Sequence, residues 1–196
     1  YDDPQSFFYA EAMEYIEAWR LSTSDNPTMI CGPVGPVEQL PLVASIINDL
    51  QIDVHNGLFA GMDELYDDDQ AVPYEHPLSC KRIDMEWCFD RIDSALRMPD
   101  ENLYFPTNIG EYVKPWNDPG VRCRRVQGGQ GWTKHIAFDD PLKAEGKYAD
   151  RPPTPEEFAA LSTRVVDLHP VTIMQDAYHS NGGDMSEIPS QAVTVG

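Results

Sequence analysis

Thr28-Met29-Ile30-Cys31, Gly32-Pro33-Val34-Gly35-Pro36 and then Val37 through Leu50 form the stretch whose reading decides the fold. The first residues are a short apolar run, the next are glycine and proline punctuation, and the last place apolar side chains at three- and four-residue spacing. The order is therefore strand, tight turn, helix. Backbone N–H groups at such a helix start can hold an anion, although Pro33 and Pro36 each remove one donor. Gly32, Val34 and Gly35 are candidate contacts to a phosphate or a sugar, and plain strand-to-helix punctuation is the competing reading.

The same alternation continues on both sides. Before it, Phe8, Ala12, Tyr15, Ile16 and Trp19 give an amphipathic helix over Phe7–Leu21, and Ser22–Pro27 is a loop. After it, Asp53–Ala60 reads as a strand with Asp63 just beyond its C-terminal end, and Tyr66–Tyr74 as a solvated acidic loop. Leu78–Leu96 reads as one helix, with Trp87 and Phe89 as core or subunit-contact residues, and Asn102–Pro106 as a short strand. Thr107–Gly120 is a Pro/Gly-rich connection to a strand over Val121–Val126. Pro152, Pro153 and Pro155 bar regular helix from Lys143–Glu157, which reads as a surface excursion, with a loop covering the site as the alternative. Thr163–Leu168 is a strand, Pro170–Ala177 starts a helix, and Val193–Val195 belongs to a final core strand. No internal repeat is visible. The expected fold is α/β, three-layer, with a mostly parallel sheet and helices on both faces.

Composition narrows the function. A chain of 196 residues suits one domain, residues 1–196, with a sizeable core. A formal charge of -19, with only 14 Lys and Arg, argues against nucleic-acid or anionic-membrane partners. No apolar run reaches membrane-span length and no basic leader opens the sequence. Cys31, Cys80, Cys88 and Cys123 form no C-x-x-C pair, so reduced thiols in a cytosolic protein, without metal or other cofactor, are the expectation. The first residue is not Met, and the chain stops at Gly196 inside what reads as a core strand; both imply a portion of a longer product lacking its C-terminal part.

The chemistry is placed at Gly128-Gly129-Gln130-Gly131-Trp132-Thr133-Lys134-His135-Ile136-Ala137-Phe138-Asp139-Asp140-Pro141. Here glycines that let the backbone approach a ligand precede a histidine and two carboxylates. This segment resembles the Gly-rich, Gly-His-Ile-Ala-Phe-Asn-Glu-Pro signature of the glucosamine-6-phosphate deaminase/isomerase family. Two further blocks resemble it in the same order. Phe59 to Leu65, then His76-Pro77-Leu78-Ser79 and the Trp87–Ile92 region, is similar to Phe-Asn-Met-Asp-Glu-Tyr, His-Pro-x-Ser and an aromatic-rich helix; Ile188 to Gly196 is similar to Val-Pro-x-x-Ala-Leu-Thr-Val-Gly. The match is to a divergent branch of a superfamily that includes 6-phosphogluconolactonase.

The resemblance implies an enzyme that opens an aminosugar phosphate and moves a proton between C2 and C1 to give a ketose. Asp63 would carry the C2 proton, His135 would assist ring opening, and Asp140 would orient the imidazole. Gly129, Gly131, Thr133 and Lys134 join the candidate substrate contacts. There are departures. Thr133 stands where the family has an aspartate, Gly35 where it has a hydroxyl-bearing residue, Tyr178 where it has a phosphate-gripping arginine, and Val166 in place of the lysine of an effector-binding pair with Arg164. A catalytically reduced sugar-binding or regulatory protein on the same scaffold, or a lactonase, therefore stands beside the isomerase reading. The partner is a small sugar or sugar phosphate in each case, and homo-oligomerisation stays open.

Overall fold

Asp3 accepts the Ser6 N–H at 2.8 Å and Pro4 takes the first helical position, so capping chemistry fixes where α1 (Pro4–Trp19) begins. The computed structural model describes residues 1–139, 142 and 144–195. It continues with β1 (Thr28–Gly32), α2 (Gln39–Leu50), β2 (Leu58–Gly61), β3 (Glu64–Asp67), β4 (Gln70–Ala71) and α3 (Cys80–Trp87). Then follow β5 (Leu103–Tyr104), α4 (Ile109–Tyr112), α5 (Lys114–Asn117), β6 (Arg122–Val126), α6 (Pro155–Ala159), β7 (Arg164–Asp167), α7 (Pro170–Ser180) and β8 (Gln191–Thr194).

β5, β2, β1 and β6 form a parallel sheet in that order. Successive residues of a strand face opposite sides, and the packing follows that rule. Ile30 and Phe59 turn toward Tyr15 and Trp19 of α1, Leu40, Val43 and Ile47 of α2, and Phe89. Met29, Cys31, Leu58 and Ala60 turn the other way, onto Tyr112, Val113 and Trp116 of the α4–α5 segment. Helices thus cover both faces, as the alternating pattern implies. Among the described residues no helix is long and apolar enough to cross a membrane.

Several local expectations give way. The C-terminal strands do not extend the parallel sheet: β4, β3, β8 and β7 make a separate antiparallel one. The acidic loop is a hairpin, in which Asp68 and Asp69 take left-handed φ of 47° and 59° between β3 and β4. Asp and Asn tolerate that conformation better than bulkier residues do. The helix expected over Leu78–Leu96 stops at Trp87, because Cys88 leaves helical dihedrals at φ -123°, ψ -74°. Pro155 does not bar a helix after all. It occupies the first turn of α6, where its missing N–H costs nothing, and Thr154 and Glu157 close a capping box around it.

Only Met62 and Asp63 separate the two sheets, since β2 ends at Gly61 and β3 begins at Glu64. Glu64 is fully buried, and its carboxylate accepts the N–H groups of Leu65 at 3.1 Å, Cys80 at 2.9 Å and Lys81 at 3.0 Å, plus the Ser79 hydroxyl at 3.2 Å. Burial raises its pKa and these donors oppose the rise. The carboxylate meets two N–H groups in the first turn of α3, which have no partners within the helix, and so docks that helix on β3. Glu64→Ala should lower unfolding free energy by about 3 kcal/mol, and Glu64→Gln, which keeps one acceptor oxygen, by about half as much. Urea unfolding monitored for a shift in midpoint at constant m-value checks this; a Glu64→Gln variant as stable as wild type would mean that volume matters and the second acceptor oxygen does not.

Candidate active site

The carboxyl ends of β1, β2 and β6 open into one cleft of about 690 Å³, within the size range of small-molecule sites. The chain order reverses between β1 and β6, so this is the switch point where open α/β sheets bind ligands. The two turns that form it touch. The Met62 N–H donates to Gly32 at 2.8 Å and the Gln127 N–H to Cys31 at 2.9 Å, which ties all three strand ends together. A Cβ added at Gly129 would meet the Gly35 carbonyl at 3.4 Å.

Asp63 and His135, read from separate parts of the sequence, both line this cleft, as do Val34, Gly35, Gly129 and Gly131. Gly32, Thr133 and Lys134 do not. Gly32 is the last residue of β1, lying over the Tyr15 and Phe59 side chains. Lys134 is exposed, with φ 66° that commits it to the turn rather than the cleft. Thr133 acts one step back: its hydroxyl lies 2.8 Å from His135 Nδ1. Asp140 falls outside the described residues, as do Pro141, Lys143 and Gly196 of the quoted stretches.

His135 is 8% exposed and is held from several sides. Thr133 and, at 3.4 Å, the Thr172 hydroxyl of α7 flank Nδ1, while Phe138 packs at a ring-centroid distance of 5.6 Å. Its carbonyl accepts the Gly131 N–H at 3.0 Å. A Cβ on Gly131 would lie 2.2 Å from Nε2, so glycine is required there by the ring itself. The nitrogen not engaged by Thr133 thus lies against a residue that lines the cleft.

Asp63 has the opposite character to its neighbour Glu64. Its Oδ1 is sealed from solvent without a hydrogen-bond partner. Burial, then the charges of Asp176, Glu64 and Asp139, push its pKa up to about 8. Asp139 is itself raised by burial, against the pull of Thr194 and of Arg164, whose Nη2 is 3.2 Å from its Oδ1. Arg164 is thereby committed to an internal ion pair.

Sequence reasoning missed part of the lining. Glu38, Arg82, Trp87, Gln175, Asp176 and His179 also face the cleft. Trp87 is 41% exposed there, whereas Phe89 is core as expected. One signal was available on α7, where Thr172, Asp176 and His179 recur at helical spacing and so place polar groups on one face. Gly131→Ala should displace the imidazole while leaving the core intact, giving an activity loss of about 10²-fold or more with little change in melting temperature; activity and thermal melts of the variant, taken together, check it.

No protein-family model matches the chain. A curated relative, the glucosamine-6-phosphate deaminase of Cronobacter sakazakii, is 25% identical over 190 residues, covering 89% of this chain and 60% of that protein. The chain therefore spans about 60% of that relative's length. Among solved structures, a monomeric glucosamine-6-phosphate deaminase superposes with TM-score 0.64 at 16% identity, over 96% of this chain and 73% of its own. The 6-phosphogluconolactonase of Thermotoga maritima superposes with TM-score 0.57 at 13% identity, over 97% and 72%. Sequence and fold point the same way: the chain is similar over most of its length to a glucosamine-6-phosphate deaminase, and its fold is one found in both that enzyme and 6-phosphogluconolactonase.

Proposed function

We propose that residues 1–196 form a sugar-handling unit that isomerises and deaminates an aminosugar or its phosphate, with Asp63 and His135 as its acid–base pair. The observation that carries this reading is the desolvated Asp63 carboxyl facing the same cleft as a positioned imidazole. His135 assists opening of the ring to the free aldehyde. The Asp63 carboxylate then takes the C2 proton, forming an enolamine, and returns it to C1, which leaves an iminium at C2. Water adds to that carbon and ammonia departs, giving the ketose. Asp140 stays in the proposal as an orienting carboxylate.

A raised pKa suits this work. A base with pKa about 8 is a stronger proton acceptor than an ordinary aspartate, at the cost of being mostly protonated at neutral pH. The reading that keeps binding without turnover draws on Thr133, which holds His135 through a hydroxyl and supplies no charge to stabilise an imidazolium. A lactonase is supported only by the shared fold.

The experiment is C2 proton exchange with solvent, followed alongside ammonia release. Asp63→Asn should suppress exchange by about 10²- to 10⁴-fold while sugar still binds; undiminished exchange removes Asp63 from the mechanism. His135→Gln should slow reaction of the closed ring more than that of an open-chain analogue, which steady-state rates on the two forms will show. Stability carries an independent signature. Unfolded Asp63 ionises near its ordinary 3.8 and the folded residue near 8, so the folded state holds an extra proton between those values and loses relative stability as pH rises through them. Asp63→Asn should therefore melt higher than wild type at pH 8, and the advantage should shrink toward pH 4.

A further inference from the structure

The charge around the cleft argues about what enters it. Glu38, Asp63 and Asp176 line it, and Arg82 is the one Lys or Arg among the described lining residues. That guanidinium is already engaged: Nη1 donates to the Glu75 carbonyl at 3.3 Å, Nη2 to the Pro77 carbonyl at 3.2 Å, and Nε lies 3.7 Å from Glu86. The helix start beside β1 is no freer. Glu38 stands at the N-cap of α2, and its own carboxylate accepts the Val37 N–H at 3.0 Å. Pro33 and Pro36 have no N–H to offer. The place where a phosphate would be cradled thus already carries one of the chain's own anions, and a second anion there would meet like charge.

The mouth of the cleft offers a different contact. Trp132 and Tyr178, 49% and 69% exposed, lie 6.0 Å apart between ring centroids. His179, which also lines the cleft, packs against both at 5.9 and 5.2 Å. The backbone N–H of Trp132 donates to Gln175 Oε1 at 2.7 Å, which ties this segment to α7. Exposed rings grouped and anchored beside a cleft present flat apolar faces with polar edges, the shape that stacks on the C–H face of a sugar.

We propose that the cleft takes an unphosphorylated aminosugar, its ammonium drawn by Asp63 and Glu38 and its ring face or substituent resting on the Trp132–Tyr178 shelf. This rests on the sugar-handling reading above and names its substrate class. Binding is the test, read by calorimetry at pH 7 with glucosamine, glucosamine 6-phosphate and glucose. Glucosamine should bind about tenfold or more tightly than either the ester or the uncharged sugar. Trp132→Ala, at an exposed position, should weaken glucosamine about fivefold. Glu38→Gln, also exposed, removes the competing anion and should tighten the ester about fivefold. An ester that binds as tightly as glucosamine, or that is indifferent to Glu38→Gln, overturns the proposal. Because binding is read without turnover, absence of ammonia release from any sugar would sink the isomerase reading and leave this test standing. Turnover confined to the phosphate ester would do the reverse.

Discussion

The buried carboxylate of Glu64 is the constraint on which the site depends. It accepts backbone N–H groups from the first turn of α3 and the side-chain hydroxyl of its cap, Ser79, and so sets where that helix lies against β3. Through α3 it places Arg82, Ile83 and Trp87 along one wall of the cleft. Through the chain it places Asp63, the residue before it, at the seam between the two sheets. Adjacent carboxylates thus differ because of what surrounds them: burial raises the pKa of both, but hydrogen-bond donors hold Glu64 back, while Asp63 is left with a bare oxygen and is pushed up to about 8.

The acidic balance of the chain acts at two ranges. Over the whole surface, a charge of -19 repels polyanions. Inside the cleft, burial and then the same sign of charge raise the Asp63 pKa, and Glu38 adds a further carboxylate at the α2 start. An ammonium group brought near these carboxylates would lower the Asp63 pKa again and convert it to its basic form as substrate arrives. On the proposed reading, charge in the cleft would serve selection and activation at once.

Much of this was legible before any coordinates. The strand, turn and helix from Thr28 to Leu50 could be read because apolar periodicity is local, and the parallel sheet followed from repeated alternation. Asp63 and His135 could be read because each follows a strand and matches a family block. The antiparallel sheet could not. Glu64-Leu65-Tyr66-Asp67 looks like the entry to an acidic loop, and the strand that makes it a sheet, Gln191–Thr194, lies far away in the chain. Glu38 and Asp176 escaped notice for a related reason: an isolated acid on a helix reads as solvated until tertiary packing turns its face to a cleft. Lys134 shows the converse error, a residue beside the histidine in sequence that the turn directs outward.

The pairing of β3 with β8 also sets the order in which the molecule can assemble. Glu64 pairs with Val193 and Tyr66 with Gln191, while the hairpin tip at Asp69 is bonded to Gln191 across 122 residues of chain. Contacts so distant in sequence must overcome the entropy of closing a large loop, and they form late. The parallel sheet and its two layers of helices can condense first, with β3 holding only its short partner β4. During that interval Leu65 and Ala192, buried together in the finished protein, have not yet met, and the seam carrying Asp63 is anchored from one side alone. The seam that carries Asp63 thus gains its second anchor only when β8 pairs, and until then the edge of β3 is open to a chaperone or another unfinished chain.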